Sequence, residues 1–299
     1  MFARSPLDAL LRGARGWRHS PMVIALSFGG VAFVILQLFI GAQAGIFPIP
    51  GGDELIWDRV GDALWTGAPV YYNAPRLIDS FVYAPPLAVA FGLVSWLPID
   101  AQHLLFLVLR ILSLRVIAGS WIGAGIACWF PLVAFDLGGG NFNLLVAAAI
   151  VAAVFGRPQL AVWGALAKFG PVLAIHPRDW RPALAVLLVA FVITLPWLYL
   201  WPQWLDLLIA DLGNPGQLGP QVPIPWFLRL AAAGALVLLV RAPWARALAA
   251  TLAIPAFYWA SLVVLLAPLA VLVRERQTRE ALPGRASTPL ALEGEAGRP

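Results

Sequence analysis

The chain has 299 residues, of which 61% are hydrophobic and only 12% are charged, and its net charge is +5. This composition excludes a soluble globular domain and is typical of an all-α protein that crosses the membrane repeatedly, with room for about eight to ten membrane segments, broken or re-entrant ones included. The positive residues are distributed as expected for the two sides of a membrane and do not form a nucleic-acid-binding patch. With one cysteine, the chain has no intrachain disulfide.

Residues 1–21 carry four arginines against one aspartate, which predicts a cytoplasmic N-terminal segment. The apolar run 22–41 is long enough to span the bilayer. Ala42-Gln43-Ala44 resembles a signal-peptidase site, but the run is too long for a signal peptide and further apolar segments follow, so we predict an uncleaved first helix. The predicted integral membrane domain covers 22–273, and the Pro-, Gly- and Ser-rich segment 274–299 is predicted to be a disordered cytoplasmic tail.

An acidic outer loop is predicted at 44–80, because a cytoplasmic N-terminus and one span place the next polar segment outside. Within it, Asp53–Thr66 has the periodicity of an amphipathic helix, with Asp53 as its N-cap. Its apolar face carries Ile56, Val60, Ala63 and Leu64, and its polar face carries Glu54, Asp58, Arg59 and Asp62. Such a helix is expected to lie on the outer membrane surface.

The later apolar runs include several that are too short to span alone, and 87–97 is expected to be a half-span or re-entrant piece. Arginine clusters predict the cytoplasmic ends of the others: Arg110 and Arg115, Arg157, Arg178 and Arg181, Arg241 and Arg246, and the tail from Arg274. Because Arg157 and Arg178 fall on one side, the segment between them is expected to enter the membrane and return. The same argument predicts a bent pair of helices within 247–273.

Lys168 is the only lysine in the chain, and it stands inside an otherwise uncharged apolar run from Leu160 to Ile175. A lysine at the middle of a membrane helix costs roughly 3 kcal/mol, which favours a functional role on an anion. Gly170-Pro171 follows it and predicts a helix break, where freed backbone groups line a wet cavity. The alternative is a lysine that reaches the interface to neutralise a carboxylate such as Asp136.

Asp53 and Lys168 are both predicted on the outer side, and together they suit one kind of chemistry. A carboxylate in a dry site takes a proton from a hydroxyl, helped by a raised pKa. A cation beside a helix break holds a phosphate through its charge and free backbone N–H groups. The pair therefore favours transfer of a group from a lipid phosphate to a hydroxyl.

A set of short motifs occurs in a fixed order along residues 20–273. They are Asp53-x3-Trp57, Gly67-x3-Tyr71, Phe81-x-Tyr83-x-Pro85-Pro86, Gly140-Asn141-Phe142-Asn143, Ala165-Leu-Ala-Lys168-Phe-Gly-Pro171 and Ile254-Pro255-x3-Trp259. The set resembles the motifs of glycosyltransferase family 87. The chain departs from that family where Trp57 stands for tyrosine, Ala84 for proline, Asn141 for glutamine and Ile254 for serine, and it is shorter.

The resemblance implies a C-type membrane glycosyltransferase fold in the bacterial inner membrane, with the active site facing outward. It implies transfer of mannose, with inversion, from a polyprenyl-phosphate donor to a glycolipid or glycan hydroxyl. Asp53 is implied as the general base and Lys168 as the ligand of the donor phosphate. The implied substrate groove carries Tyr71, Phe81, Tyr83, Pro85, Asn141, Asn143 and Trp259. No cofactor is implied, although the acidic loop leaves a divalent metal as an alternative.

Each of these residues also has a structural interpretation. Asp53 is a candidate helix cap, and Asp58 and Asp62 fit a solvated face, with Asp58 also a candidate second acid. The three aromatic residues of the outer loop fit the interfacial belt of a membrane protein as well as they fit sugar stacking. The two asparagines fit a helix end after Gly138-Gly-Gly140, and Trp259 fits either the cavity or the belt.

Two other function classes remain open. Broken helices around a central charge also suit a secondary transporter or lipid-carrier flippase, which predicts inverted repeats that the sequence does not show. A non-catalytic membrane partner in a cell-envelope complex is the third hypothesis.

Overall fold

A computed structural model describes residues 20–46, 52–71, 81–213, 224–255, 257 and 259–281, and these residues form helices without strands. The α-helices are α1 (Pro21–Gln43), α2 (Gly52–Thr66), α3 (Pro85–Val94), α4 (Ile99–Ala118), α5 (Trp121–Ala127), α6 (Pro131–Gly139), α7 (Asn143–Val154), α8 (Pro158–Ala167), α9 (Trp180–Ile193), α10 (Leu200–Gly213), α11 (Trp226–Leu239), α12 (Pro243–Leu252) and α13 (Leu266–Ala281). Short 3₁₀ helices at Gly170–Ala174, Pro177–Asp179, Leu195–Trp197 and Trp259–Leu265 join several of them. Most of the predicted N-terminal segment and most of the predicted tail lie outside the described residues.

Two of the described helices, α1 and α4, are long and apolar enough to cross a membrane. The pair α5 and α6, bent by 97°, adds a third crossing if it forms one span. With 23 residues, α1 is about 35 Å long, and most of its apolar side chains are exposed, as they are in a helix that contacts lipid. The larger number of segments expected from the sequence stays a prediction.

Small residues bring α1 against α5. A Cβ added to Gly30 would lie 2.0 Å from the carbonyl oxygen of Gly125, and one added to Gly125 would lie 2.0 Å from Ser27 Oγ. Such close backbone approach is typical of helix contacts in membranes, where dispersion rather than the hydrophobic effect holds helices together.

The predicted amphipathic helix is confirmed as α2, but it begins at Gly52, so Asp53 stands inside its first turn and is not the predicted N-cap. Val60, Ala63 and Leu64 are buried, as expected, and Asp62 is exposed. The polar face is not uniform, however, because Glu54 is buried with a relative exposure of 1%. Helix α2 therefore packs on the helices beneath it through one carboxylate as well as through its apolar face.

Helix α3 has ten residues and is about 15 Å long, which is half of the hydrocarbon thickness. At its start, the amide of Ala84 donates to the carbonyl of Leu166 at the end of α8. At its other end, Ser95 contacts Gly61 of α2. Its two ends therefore contact the end of α8 and helix α2.

Helix α7 forms the centre of the described bundle, and ten of its twelve residues are buried. It packs against α4, α8, α12, α13 and the 3₁₀ helix at Trp259–Leu265. After Asn143, all its residues are alanine, valine, leucine or isoleucine, whose small or branched side chains let the neighbouring helices approach closely.

The helix break predicted at Lys168 is confirmed. Helix α8 ends at Ala167, Lys168 has extended backbone angles, and the 3₁₀ helix Gly170–Ala174 follows. The chain doubles back there, since Pro171 packs against Gly164. A second interruption, which includes the 3₁₀ helix Trp259–Leu265, separates α12 from α13. Helix α13 continues to Ala281, so the prediction of a disordered tail is wrong for residues 274 to 281.

Gly170 makes the break compatible with the neighbouring helix. A Cβ at this position would lie 2.1 Å from the carbonyl oxygen of Ala250 in α12 and 2.8 Å from Ile254 Cγ1. Gly170→Ala is therefore expected to destabilise the protein by about 1–3 kcal/mol, the usual cost of overpacking. A lower midpoint of thermal unfolding in detergent checks this.

Gly234→Ala is the matched control, because a Cβ at this glycine in α11 meets nothing within 4 Å. It is expected to leave the midpoint unchanged or raise it, since alanine favours the helix. Equal unfolding midpoints for the two variants would show that the close approach of Gly170 to Ala250 does not exclude a side chain at position 170.

Candidate functional site: a buried charged network

Lys168 lies where α7, α8 and the 3₁₀ helix Trp259–Leu265 meet. Its ammonium group donates to Asn143 Oδ1 at 2.6 Å and to Ser261 Oγ at 3.0 Å. Both acceptors are fully buried and uncharged. The carboxylates of Asp53 and Asp136 lie within electrostatic range of the same ammonium group. Because helix α8 ends at Ala167, the side chain of Lys168 can reach this polar site.

Asn143 connects the lysine to Asp136. Its amide nitrogen donates to Asp136 Oδ1 at 2.9 Å and to Asn141 Oδ1 at 3.0 Å. The other oxygen of Asp136 accepts from the backbone amide of Leu144 at 3.0 Å and so caps the start of α7. The helix end attributed to the two asparagines is therefore capped mainly by an aspartate on the preceding helix.

Arg110 joins this network to the outer-loop helix α2. Its guanidinium is fully buried, donates to the carbonyls of Asp136 and Leu137 at 3.1 and 2.9 Å, and forms an ion pair with Glu54. His103, about two turns earlier in α4, contacts the second oxygen of Glu54. The ion pair brings Arg110, predicted at a cytoplasmic end, together with Glu54 of the loop predicted outside, so these two sidedness predictions are not compatible with each other.

Asp53 stands in the first turn of α2, next to Glu54, and is half-buried. Burial raises the pKa of its carboxyl group from 3.8 to about 6, although the positive charges of Lys168 and Arg110 act to lower it. The residue therefore combines the dry surroundings and the nearby cation that suit a general base in this chemistry.

The other acids of α2 have separate surroundings. Asp58 is half-buried and accepts from Gln102 Nε2 of α4 at 2.5 Å, so the candidate second acid is tied to a neutral amide. Asp62 is exposed. Among the described residues, no group of three or more His, Cys, Asp or Glu side chains is arranged to hold a metal ion.

The predicted groove aromatics Tyr71, Phe81 and Tyr83 are all buried and contact one another. The Tyr71 hydroxyl donates to the carbonyl of Tyr83 at 2.7 Å, and burial raises the pKa of Tyr71 well above its usual value. Tyr83 also packs on Phe142, just before Asn143, with ring centroids 5.1 Å apart. They are core residues under α2, so the belt interpretation is wrong for them.

The remaining predicted groove residues occupy different places. Pro85 is buried as the first residue of α3, and the half-buried Asn141 lies between α6 and α7. Trp259 is 54% exposed at the start of its 3₁₀ helix, whereas Ser261, two residues further on, contacts Lys168.

An apolar cavity of about 420 Å³ lies between α3, α4, α7 and α8. The part near the network is lined by Leu87, Phe142 and Ala167, the residue before Lys168. The part far from it is lined by Leu112, Val116 and Leu160. Its walls are almost entirely hydrocarbon, so it suits an apolar chain and not a polar ligand. We call this cavity the lateral groove; none of the residues predicted to form the substrate groove is among those that line it.

Comparison of the chain with protein-family models, with curated proteins and with solved structures found no match. The fold and the site therefore define the protein only by class: an all-helical chain with helices of membrane-spanning length, in which one lysine, one arginine and three carboxylates form a largely buried network beside an apolar groove.

The ion pair between Glu54 and Arg110 yields a prediction on stability. Glu54→Gln removes the carboxylate that is paired with the buried guanidinium, a change that costs about 3–5 kcal/mol in other buried pairs. Because Arg110 keeps its bonds to two carbonyls, we expect a loss near the lower end of that range. Thermal unfolding in detergent measures it.

Asp62→Asn, on the exposed face of the same helix, is the control and is expected to change stability little. An unfolding midpoint for Glu54→Gln that equals that of Asp62→Asn would contradict the role given to the ion pair.

Proposed function

We propose that the chain is a membrane glycosyltransferase that moves a sugar, mannose, from a polyprenyl-phosphate donor to a glycolipid or glycan hydroxyl on the outer face of the membrane. Asp53 acts as the general base, and Lys168 binds the donor phosphate. The single observation that carries the proposal is the combination of a half-buried carboxyl group of raised pKa with a lysine whose charge acts on it, at one end of an apolar groove.

The chemistry requires an acid–base partner and an electrostatic one. The acceptor hydroxyl oxygen attacks the anomeric carbon of the sugar from the face opposite the phosphate, and the configuration inverts. As the bond from that carbon to the phosphate oxygen breaks, the hydroxyl proton passes to Asp53. The phosphate leaves with the electron pair, and its charge is neutralised by Lys168.

Asp53 suits the role of base because of its surroundings. A carboxylate of ordinary pKa holds a proton weakly, and one with a pKa near 6 holds it more strongly while remaining mostly ionised at neutral pH. Its position in the first turn of α2 is fixed by the next residue, Glu54, through the ion pair with Arg110.

Lys168 suits the phosphate because it is fixed and close to the groove. Asn143 and Ser261, both uncharged, accept hydrogen bonds from the ammonium group and fix its position. In a site from which water is largely excluded, such a preorganised cation stabilises a developing phosphate charge by several kcal/mol.

The lateral groove supplies the binding surface for a polyprenyl chain. It begins beside Ala167 and continues along α4 and α8 past Leu109 and Trp163. Lys168 does not itself line the cavity, but the preceding residue does, so a prenyl chain attached to a phosphate at Lys168 would meet the hydrocarbon walls at Ala167. The volume of about 420 Å³ holds the first part of such a chain, and the remainder extends into the lipid.

The test is a transfer assay on membranes that contain the full-length chain, with radiolabelled polyprenyl-phosphate-mannose as donor and chromatography of the lipid extract. Asp53→Asn is expected to lower transfer by at least about 10²-fold, since it removes the base and keeps the shape. Asp62→Asn, an acid on the exposed face of α2, is expected to retain transfer.

Lys168→Ala in the same assay is expected to lower transfer by about 10²-fold, mainly because the donor binds more weakly. Lys168→Arg, which keeps the positive charge, is expected to retain part of the transfer. Full transfer by Asp53→Asn would refute the base assignment. Label that crosses the membrane of sealed vesicles without forming a new product would instead indicate the transporter hypothesis.

The pKa of Asp53 gives a separate prediction on pH. Since the base must be ionised, the transfer rate is expected to rise with pH and to level off above about pH 6, falling about tenfold per unit below it. The rate at saturating donor, measured over a series of buffers, checks this. A flat profile through that range in an active preparation would rule out Asp53 as the titrating base.

A further inference from the structure

Two arginines stand at the end of α4 that is remote from the charged network. Arg115 lies in the last turn of α4, and Arg274 reaches the same turn from α13. Twelve residues separate Arg115 from His103, which contacts Glu54, so the pair lies about 18 Å along the helix from the network. It belongs to the opposite end of the protein from the proposed transfer site.

Arg274 is held against the end of α4 by hydrogen bonds. Its guanidinium donates to the carbonyls of Val116 and Ile117, the second at 2.8 Å, and so satisfies carbonyls that the helix end leaves open. Gly119, with a φ of 75°, ends the helix, and a Cβ there would lie 3.1 Å from the guanidinium. Glycine thus leaves room for the arginine, and its position is built into the fold.

Each arginine lies beside an aromatic ring. The guanidinium carbon of Arg115 is 5.8 Å from the ring of Trp121, and that of Arg274 is 5.1 Å from the ring of Phe155. Both rings are exposed, by 58% and 46%. Exposed aromatic rings beside arginines are typical of the zone where a protein meets lipid headgroups.

The two positive charges act on each other, and the described residues offer no carboxylate within ion-pair distance of either guanidinium. Both side chains are half-buried, so water screens their repulsion only in part. A bound anion between them would remove this repulsion, and guanidinium groups match phosphate in geometry as well as charge.

We propose that Arg115 and Arg274 form a binding site for the phosphate of an anionic phospholipid, such as phosphatidylglycerol, at the membrane face opposite the charged network. The neighbouring side chains decide between a lipid and a free phosphate ion. Leu112 and Val116 are exposed on the same end of α4, by 46% and 42%, and present an apolar surface for acyl chains directly beside the cations. A basic site between helices, open to hydrocarbon, is the usual surrounding of an anionic lipid headgroup.

The experiment uses the full-length chain in nanodiscs of phosphatidylcholine with increasing proportions of brominated phosphatidylglycerol, whose bromine quenches nearby tryptophan. The signal of Trp121 is the difference in emission between the protein and its Trp121→Phe variant. We expect half-maximal quenching at a lower proportion of brominated phosphatidylglycerol than of brominated phosphatidylcholine. Arg115→Gln is expected to raise that midpoint about fivefold, the effect of about 1 kcal/mol per basic residue, and Arg115→Lys to retain most of the preference.

Two controls distinguish a lipid site from diffuse surface attraction and from binding of a soluble anion. Arg241→Gln, an exposed arginine between α11 and α12, is expected to leave the midpoint unchanged, and an equal loss there would indicate diffuse attraction. Inorganic phosphate, added at constant ionic strength, is expected not to displace the lipid, and displacement would assign the site to a soluble anion. Equal quenching by both lipids, or a midpoint unaffected by Arg115→Gln, would overturn the proposal.

Arg115→Gln is the informative variant because the ring of Trp121 is the contact that holds Arg115, whereas Arg274 also caps a helix. Its fold is checked by circular dichroism. A second readout, retention of phosphatidylglycerol in native mass spectra, is expected to fall with the same variant and not with Arg241→Gln.

Discussion

The buried ion pair between Glu54 and Arg110 is the interaction on which the rest of the site depends. It joins the amphipathic helix α2 to α4, and through the carbonyls that Arg110 also contacts it reaches the end of α6. Charges are costly to bury, and this pair is tolerated because each charge has its counterpart and the guanidinium has further acceptors. Without it, the first turn of α2, which carries Asp53, would lose its link to Arg110 and keep only weaker polar contacts to α4, such as the one between Asp58 and Gln102.

The sequence predicted those features that are set by local pattern. The alternation of polar and apolar positions placed α2 to within a residue, and Gly170-Pro171 placed the break beside Lys168. Both follow from short-range physics: helical periodicity in one case, the missing N–H and fixed φ of proline in the other. The isolation of Lys168 in an apolar run also singled out a side chain that the fold places between buried polar partners.

The partners in the network were not predictable in the same way. Glu54 falls on the polar face of α2 by periodicity, and only its proximity to Arg110, 56 positions later, makes it a buried residue. A rule based on the number of arginines predicts Arg110 at a cytoplasmic end, because it cannot distinguish a charge in water from one with a buried counter-charge. Ser261 and the capping role of Asp136 depend on contacts between distant segments, which no local pattern encodes.

The half-length of α3 has a consequence for how a lipid substrate would reach the site. Because α3 begins only after Ala84, whose amide contacts Leu166, and has ten residues, it closes the lateral groove on one side, while α4, α7 and α8 form the other walls. Several of its wall residues, Leu160 and Trp163 among them, are exposed, so under the proposed function a long-chain molecule would enter sideways from the bilayer without passing through water. Occupancy of the site would then depend on the mole fraction of the substrate in the leaflet and on its two-dimensional diffusion, not on its concentration in the aqueous phase.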